Sequence, residues 1–512
     1  MKQVASLSFL LLWFNLQAPA QSTSPVVATV RQYRQAHETE ILREFAQLLA
    51  IPNVSADLPN VRRNAEWIVR MLARRGLNPR LLEVPGASPA VYGELLTPGA
   101  TQTLIFYAHY DGQPVEPAKW AGGDPFAPVL RTAPLELGGQ ELPFPAEGQK
   151  FNPEWRLFAR GAADDRAPIM ALVAALDAMR AHHIQPTANF KFFFEGEEEV
   201  GSTNLRRIID AHRELLKGDV WLICDGPVNQ NRMMQLYFGV RGVIGLELTV
   251  YGPRRELHSG HYGNWAPNPA LRLAQLLATM KDEDGRVLIE GWYDRVAPLS
   301  GSEKQALAEA PDNDEQLKQE LLLGSTEGQG RKLNDLINLP SLNIRGLSSG
   351  SVGATARNVV PATATASLDI RLVKGLSPEQ AITAFLAHLR KQGWHLVDAE
   401  PDEATRLKYA KVIRVTREEG YPAARTSMDL PISQQIVRSI ESAGGPVIKM
   451  PTLGGSVPLY VFTDVLQLPA IGVPIANHDN NQHAANENLR LQNLWDGIEI
   501  MAVLLTLQSA PR

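Results

Sequence analysis

The chain has 512 residues, 44% hydrophobic and 21% charged, which is ample for several buried cores and unlike a disordered or fibrous polymer. Its 50 Lys+Arg against 55 Asp+Glu leave a net charge of -5, and no run of like charge tracks a phosphate backbone, so nucleic acid is not an expected partner. The single cysteine, Cys224, has no intramolecular disulfide partner, so the core alone must hold the fold.

The first residues read as a leader. Met1-Lys2 supplies positive charge, residues 4–16 an apolar run, and Ala18-Pro19-Ala20 a small-residue cleavage pattern. The run is shorter than the ~20 apolar residues of a spanning helix. The expectation is a signal peptide over 1–20, a mature start near Gln21, and export to the periplasm or beyond, with no stable membrane anchor after cleavage.

From about Ser24 to Gln235, helical spacings alternate with short apolar strands, the pattern of an α/β domain around a buried, mostly parallel sheet. Val61, Ala65, Ile68 and Leu72 recur at helical spacing, with arginines between them. Strands are expected over 103–108, 190–194 and 220–224, and the Pro/Gly-rich stretch 128–153 reads as a long loop. Near Gly239 the texture changes. Residues 243–251 alternate as a half-buried strand, a helix led by Pro269 follows, and an acidic, polar stretch covers 304–332. A strand over 363–373, a helix over Pro378–Lys391 and a strand over 394–399 complete what reads as a smaller α+β domain inserted into the first. After about Ser427 the buried-strand pattern returns, with 469–474 and a last helix over 491–507. The expected division is a first domain made of 24–238 and 427–512, interrupted by 239–426.

Each early strand empties into polar residues: His109-Tyr110-Asp111, Glu195 to Glu199, and Asp225. In open α/β sheets ligands sit beyond the carboxyl ends of strands, so one pocket can collect all three. His109 and Asp111 flank one residue and point to the same side, a spacing that lets a carboxylate take the second ring proton of a metal-bound imidazole. Asp164 and Asp165 precede a helical stretch, where adjacent acids also serve as cap and first-turn residues. Residues 195–199 place four carboxylates in five positions, a density that raises pKa values or demands a cation; a solvated acidic turn is the plainer reading. Taken singly, Asp225 reads as a turn residue and His483 as a surface loop histidine. Together, two imidazoles and at least three carboxylates form the ligand mix suited to a pair of zinc ions. A non-ligating Glu beside them supplies the base of a metal-assisted hydrolysis. A phosphohydrolase also uses two metals, but no glycine-rich phosphate loop stands nearby.

Nearly the whole chain carries a further series of motifs. In order they are Ile51-Pro52-Asn53-Val54-Ser55, His109-Tyr110-Asp111, Trp120 with Asp124-Pro125-Phe126, Arg160-Gly161 to Asp165, Glu198-Glu199 with Gly201-Ser202, Leu257-His258-Ser259-Gly260, Asn358-Val359-Val360-Pro361, Gly454-Gly455-Ser456 and His483. The series resembles the di-zinc metallopeptidases that include carnosinases, cytosolic non-specific dipeptidases, peptidase V, aminoacylases and succinyl-diaminopimelate desuccinylase. The resemblance implies a zinc-exopeptidase-like three-layer catalytic domain, a mostly parallel α/β sheet, with an inserted α+β lid and dimerisation domain. It also implies two Zn2+ per chain, with Mn2+ or Co2+ as substitutes. His109, Asp164 and Asp225 hold one ion in this scheme, and Asp164 bridges to the second, which Glu199 and His483 complete. Glu198 becomes the general base, Asp111 orients His109, and the peptide bond between Asp164 and Asp165 is cis. His258 reaches across a homodimer to the substrate's carbonyl oxygen. Asn358, Arg371 and the turn Gly454-Gly455-Ser456 hold the substrate, Arg371 gripping its carboxylate.

The implied reaction is hydrolysis of the amide bond of a dipeptide or similar small substrate with a free carboxylate. An N-acyl-amino-acid deacylase of the same family and an inactive exported solute-binding scaffold are the alternatives. The sequence departs from the family pattern at Ala159, where Gly is usual, and at Arg166-Ala167, where Lys-Gly is usual.

Overall fold

The strand Thr103–His109 is apolar at nearly every position, and the two-residue period of a strand sends its side chains to opposite faces. Leu104, Phe106 and Ala108 enter one buried cluster while Ile105 and Tyr107 enter another. Asn189–Glu195 divides in the same way, with Phe190, Phe192 and Phe194 opposed to Phe193, as does Val220–Ile223, with Val220 and Leu222 opposed to Trp221 and Ile223. A sheet apolar on both faces must be covered on both, which is the origin of the three layers. The structure is a computed structural model describing residues 24–144 and 150–507.

Eight strands form this sheet, in the order Arg80–Leu82, Ala90–Leu95, Asn189–Glu195, Thr103–His109, Val220–Ile223, Ala470–Gly472, Gln235–Tyr237 and Ile448–Met450. The four strands from Asn189–Glu195 to Ala470–Gly472 are mutually parallel, and antiparallel pairings join them to the strands on either side. Helices Pro25–Leu49, Leu58–Ala73, Arg166–Ala181, Pro431–Gly444 and Leu491–Leu505 cover one face. Leu205–Ala211, Gly301–Glu309 and Val461–Val465 contribute Ile208, Leu307 and Phe462 to the other.

A second sheet has its own core. Its five strands run Ser341–Ser348, Thr363–Leu372, Gly242–Tyr251, Val412–Arg417 and His395–Val397, antiparallel except for the last pair. Ile244, Leu246, Leu248 and Val250 share one face and pack on Leu273 and Leu276 of Pro269–Leu277 and on Phe385 and Leu389 of Pro378–Lys391. Both helices start on local signals. The Asn268 side chain accepts from Ala270 and Leu271 N–H ahead of Pro269, and Ser377 forms a capping box with Gln380.

The stretch 128–153 is not simply a loop. Val129–Arg131 and Glu141–Leu142 pair with each other, and Val129–Arg131 pairs with Arg156–Phe158, which pairs in turn with Asn488–Arg490. The prolines and glycines mark the ends of a small sheet whose Leu130 and Leu157 are fully buried, and composition hides those short strands. Pro431–Gly444 is a helix where the sequence pattern suggests returning strands: Pro431 opens it, and Ile436, Ile440 and Ala443 recur at helical spacing on its buried side. The acidic stretch contains the helix Asp314–Glu320. The expected leader lies outside the described residues, and among those described no helix is long and apolar enough to cross a membrane.

Candidate metal centre

Because Thr103–His109 and Asn189–Glu195 are parallel neighbours in register, His109 lies beside Glu195 and their chains leave the sheet together. Val220–Ile223 lies on the other side of Thr103–His109 and ends two residues before Asp225. Asp164 and Asp165 arrive at the start of Arg166–Ala181, joined by a cis peptide bond. Asp165 occupies the N-cap position but makes no capping bond; its Oδ2 accepts the His109 backbone N–H at 3.2 Å instead. His483 comes from the loop between Ala470–Gly472 and Asn488–Arg490.

The carboxylate of Asp164 sits between two imidazoles. His109 Nε2 lies 2.9 Å from its Oδ1, and His483 Nε2 lies 3.1 Å from its Oδ2 and 3.3 Å from Glu199 Oε2. Ligand atoms of His109, Asp164 and Glu199 lie within 4.8 Å of one another, as do those of His109, Asp165 and Asp225. Glu198 Oε2 is 3.9 Å from His109 Nε2. The sequence presents Asp165 only as an acid adjacent to Asp164, and adjacency is its only signal.

Several side chains hold this cluster in place. His109 Nδ1 faces the Asp111 carbonyl at 3.2 Å and its Oδ1 at 3.4 Å. Asp111 also accepts the N–H groups of Glu198 and Glu199 at 3.2 and 3.1 Å and the Ser55 hydroxyl at 2.8 Å, so one carboxylate fixes the acidic turn to the strand end. Gln113 donates to Glu199 Oε2 at 2.8 Å, and Gln482 donates to Asp164 Oδ2 at 2.6 Å. Fully buried Glu487 accepts four hydrogen bonds, all at 2.9 Å: Arg160 Nη1 and Gly161 N–H on Oε2, Ala163 and Asp164 N–H on Oε1. Arg166, one of the departures from the family pattern, is also fully buried. It donates to the carbonyls of Leu48 and Arg160 and to Asn64, tying two helices to the segment before Asp164. Gly161 has φ +76°, and a Cβ there would lie 2.6 Å from Arg166 Nε, so this close approach requires glycine.

Electrostatics show what the cluster lacks. Burial, reinforced by Asp164, pushes Glu199 up to about 7 and Asp225 up to about 6. Burial also raises Asp165 and Glu198 well above the usual carboxylate range, with Asp225 adding to both. For His109, burial opposes the charged form, but hydrogen bonds to Asp111 and Asp164 outweigh it and raise the pKa. Asp164 moves the other way: despite burial, His109 and His483 hold it below the usual range. Bonds to Asp164, Glu199 and Asp165 come from imidazoles, amides and a backbone N–H rather than from Lys or Arg. A buried cluster of imidazole nitrogens and carboxylate oxygens with no Lys or Arg bonded to Asp164, Glu199 or Asp165 is a donor set that fits divalent metal ions.

Beside it opens a cavity of about 410 Å³ lined by Asp164, Glu198, Asp225, Gly455, Ser456 and His483. Arg371 Nη1 donates to Ser456 Oγ at 2.7 Å and its Nε to Asp369 Oδ2 at 3.3 Å, so the guanidinium stands behind Ser456 on the second sheet without itself lining the cavity. Gly454 faces a neighbouring cavity. His258 and Asn358 lie elsewhere. Leu257–His258 pairs with Val359–Val360 in a short ribbon, where Ser259 N–H donates to the Asn358 carbonyl at 2.9 Å. His258 is exposed, its Nδ1 accepts from Gly260 N–H at 3.1 Å, and its ring centroid is 4.6 Å from that of His261. Neither residue lines the cavity of its own chain.

The sequence profile of Peptidase family M20/M25/M40 matches residues 105–507. The chain is 25% identical over 478 residues to a Cys-Gly metallodipeptidase of Schizosaccharomyces pombe, spanning 90% of this chain and 94% of that one. It is 24% identical over 527 residues to the Beta-Ala-His dipeptidase of Homo sapiens, spanning 98% and 97%. Among solved structures it resembles an M20 family metallo-carboxypeptidase from Sulfolobus solfataricus, with a TM-score of 0.72, 26% identity, and coverage of 91% of this chain and 99% of that one. With a profile match over most of its length and buried His/Asp/Glu clusters that can hold metal ions, the chain belongs to Peptidase family M20/M25/M40 and is a metal-dependent peptidase.

Proposed function

We propose that the protein is an exported dipeptidase that hydrolyses the amide bond of small peptides carrying a free carboxylate. The observation that carries this reading is a single cavity with the imidazole-flanked Asp164 and Glu198 on its wall and Ser456, bonded to Arg371, beside them. The relatives are peptidases of dipeptides by name, which favours a peptide over an N-acyl amino acid. The leader-like residues 1–20 support export.

In this reading His109, Asp164, Asp225, Glu199 and His483 would hold a pair of zinc ions, and Asp165 lies beside His109 and Asp225. Such ions supply Lewis acidity toward a carbonyl and acidify water at neutral pH. Glu198, on the cavity wall and 3.9 Å from His109 Nε2, would take a proton from the attacking water and deliver it to the departing amine. Arg371, steadied by Ser456 and Asp369, grips the substrate's carboxylate, and the turn Gly454-Gly455-Ser456 closes around it. His258 and Asn358 act on a second copy of the chain through a homodimer of the inserted domain, where His258 donates to the carbonyl oxygen. Their place outside the cavity of their own chain supports that assignment.

The test is metal analysis together with a screen of Xaa-Xaa dipeptides, β-alanyl dipeptides and N-acetyl amino acids. Dipeptide hydrolysis with two metals per chain is expected. Turnover of N-acetyl amino acids alone moves the protein to the deacylases, and no turnover after metal reconstitution removes the enzymatic reading. Glu198→Gln should keep both metals and lose roughly 10²–10⁴ in kcat.

A further inference from the structure

A second cavity, of about 220 Å³, adjoins the first, and Pro227 and Leu453 line both. We propose that this second cavity is the specificity pocket for the side chain of the substrate's carboxyl-terminal residue, and that it takes neutral, medium-sized side chains such as Leu, Met or Gln. The proposal rests on the dipeptidase reading above and on the carboxylate grip by Arg371.

The geometry follows from the turn between the two spaces. Ser456 faces the first cavity and anchors Arg371, while Gly454, two residues earlier, faces the second. In a substrate held by its carboxylate, the α-carbon of the last residue is one bond from that group. In the proposed pose the side chain leaving this α-carbon passes Leu453 and Pro227, which border both cavities, into the second one. Gly454 packs close to Ile337: a Cβ added there would sit in ordinary contact with Ile337 Cδ1, at 3.4 Å. The wall offers apolar surface from Val228, Leu317, Ile337 and Met450, and amides from Asn229 and Asn334, a lining suited to an aliphatic, thioether or amide side chain. Asp314, its Oδ2 accepting Leu333 N–H at 2.8 Å, and His478 also stand on the wall, and the Asp314 carboxylate opposes an acidic side chain by like charge. The far wall belongs to residues 311–337, which carry none of the groups assigned to the chemistry, so side-chain preference can change here without touching the metal centre.

The experiment compares Ala-Gly, Ala-Leu, Ala-Met, Ala-Gln, Ala-Glu, Ala-Phe and Ala-Trp on the metal-loaded full chain and on two variants. Leu317→Trp fills the pocket from the half-buried face of Asp314–Glu320, and Ile337→Ala enlarges it beside Gly454. The wild type should prefer Ala-Leu, Ala-Met and Ala-Gln to Ala-Glu. In Leu317→Trp the ratio of kcat/KM for Ala-Leu to that for Ala-Gly should fall by about tenfold or more through KM, within the range expected of a hydrophobic pocket. In Ile337→Ala the optimum should move to Ala-Phe and Ala-Trp. Should Leu317→Trp fail to fold, Ile337→Ala decides alone. Ratios that match the wild type while Ala-Gly is still cleaved overturn the pocket and leave the dipeptidase standing; no cleavage of any dipeptide overturns both.

Discussion

Glu487 is the strongest test of how the metal centre is held. It touches neither imidazole, yet it accepts four donors from the segment that delivers Asp164, more than 300 residues away in sequence. Glu487→Gln preserves shape and removes one acceptor. Each oxygen serves two donors, so either orientation of the new amide sets its NH2 against two N–H groups. One orientation abandons Arg160 Nη1 and Gly161 N–H, the other Ala163 and Asp164 N–H. Arg160 is 2% exposed, so its charge is left buried without its counter-ion, a loss of roughly 3–5 kcal/mol for a broken buried pair. Loosening the Asp164 backbone should also weaken metal binding by about 10–100-fold, as for other residues that orient ligands. Denaturant unfolding of the metal-free protein measures the first effect and calorimetric Zn2+ titration the second. A Glu487→Gln protein with wild-type midpoint and wild-type affinity would show that this carboxylate does not position the centre.

Metal removal should make stability depend on pH with a definite sign. Glu199 and Asp225, raised to about 7 and about 6, and both site histidines, raised as well, bind more protons folded than unfolded. Their contribution is complete below the unfolded pKa values and is lost as pH climbs through the folded ones. The Tm of chelated protein should therefore fall between pH 5 and 8 while the gain on adding Zn2+ widens; a metal-free Tm that climbs steadily over that interval rejects this account. Arg371→Lys keeps a charge but not the planar fork, so KM for dipeptides should rise roughly tenfold with kcat little changed. Dipeptide amides, which lack the carboxylate, should not distinguish the two proteins. Gln113→Ala removes the amide donor to Glu199 and should weaken Zn2+ binding by about tenfold. An unaltered titration would assign Gln113 no such role.

Strands such as Thr103–His109 are legible because a short apolar run that empties abruptly into polar residues fits a strand buried on both faces better than an amphipathic helix. The candidate ligands are legible for a related reason, since charged residues directly after such a run must lie at the end of the sheet, where His109 meets Glu199 in one cluster and Asp225 in another. Glu487 and Gln482 escape because their partners are hundreds of residues distant, and one carboxylate or amide in a polar loop carries no periodicity. The strands within 128–153 escape because they are two and three residues long, below the length at which alternation can be recognised. Pro431–Gly444 escapes because Ile432, Ile436 and Val437 near a returning strand pattern fit either period until Pro431 is taken as a helix start.

The strand Ala470–Gly472 lies between Val220–Ile223 and Gln235–Tyr237, so a piece from near the end of the chain sits in the middle of the large sheet. Synthesis runs from the other end. While Ala470–Gly472 is still unmade, Val220–Ile223 presents a bare edge open to unwanted pairing. Asp164 meanwhile waits without His483, Gln482 or the Glu487 clamp. A chain ending before Ala470 therefore lacks both a strand of the large sheet and the partners that surround Asp164, and it should be inactive and poorly folded rather than merely slow.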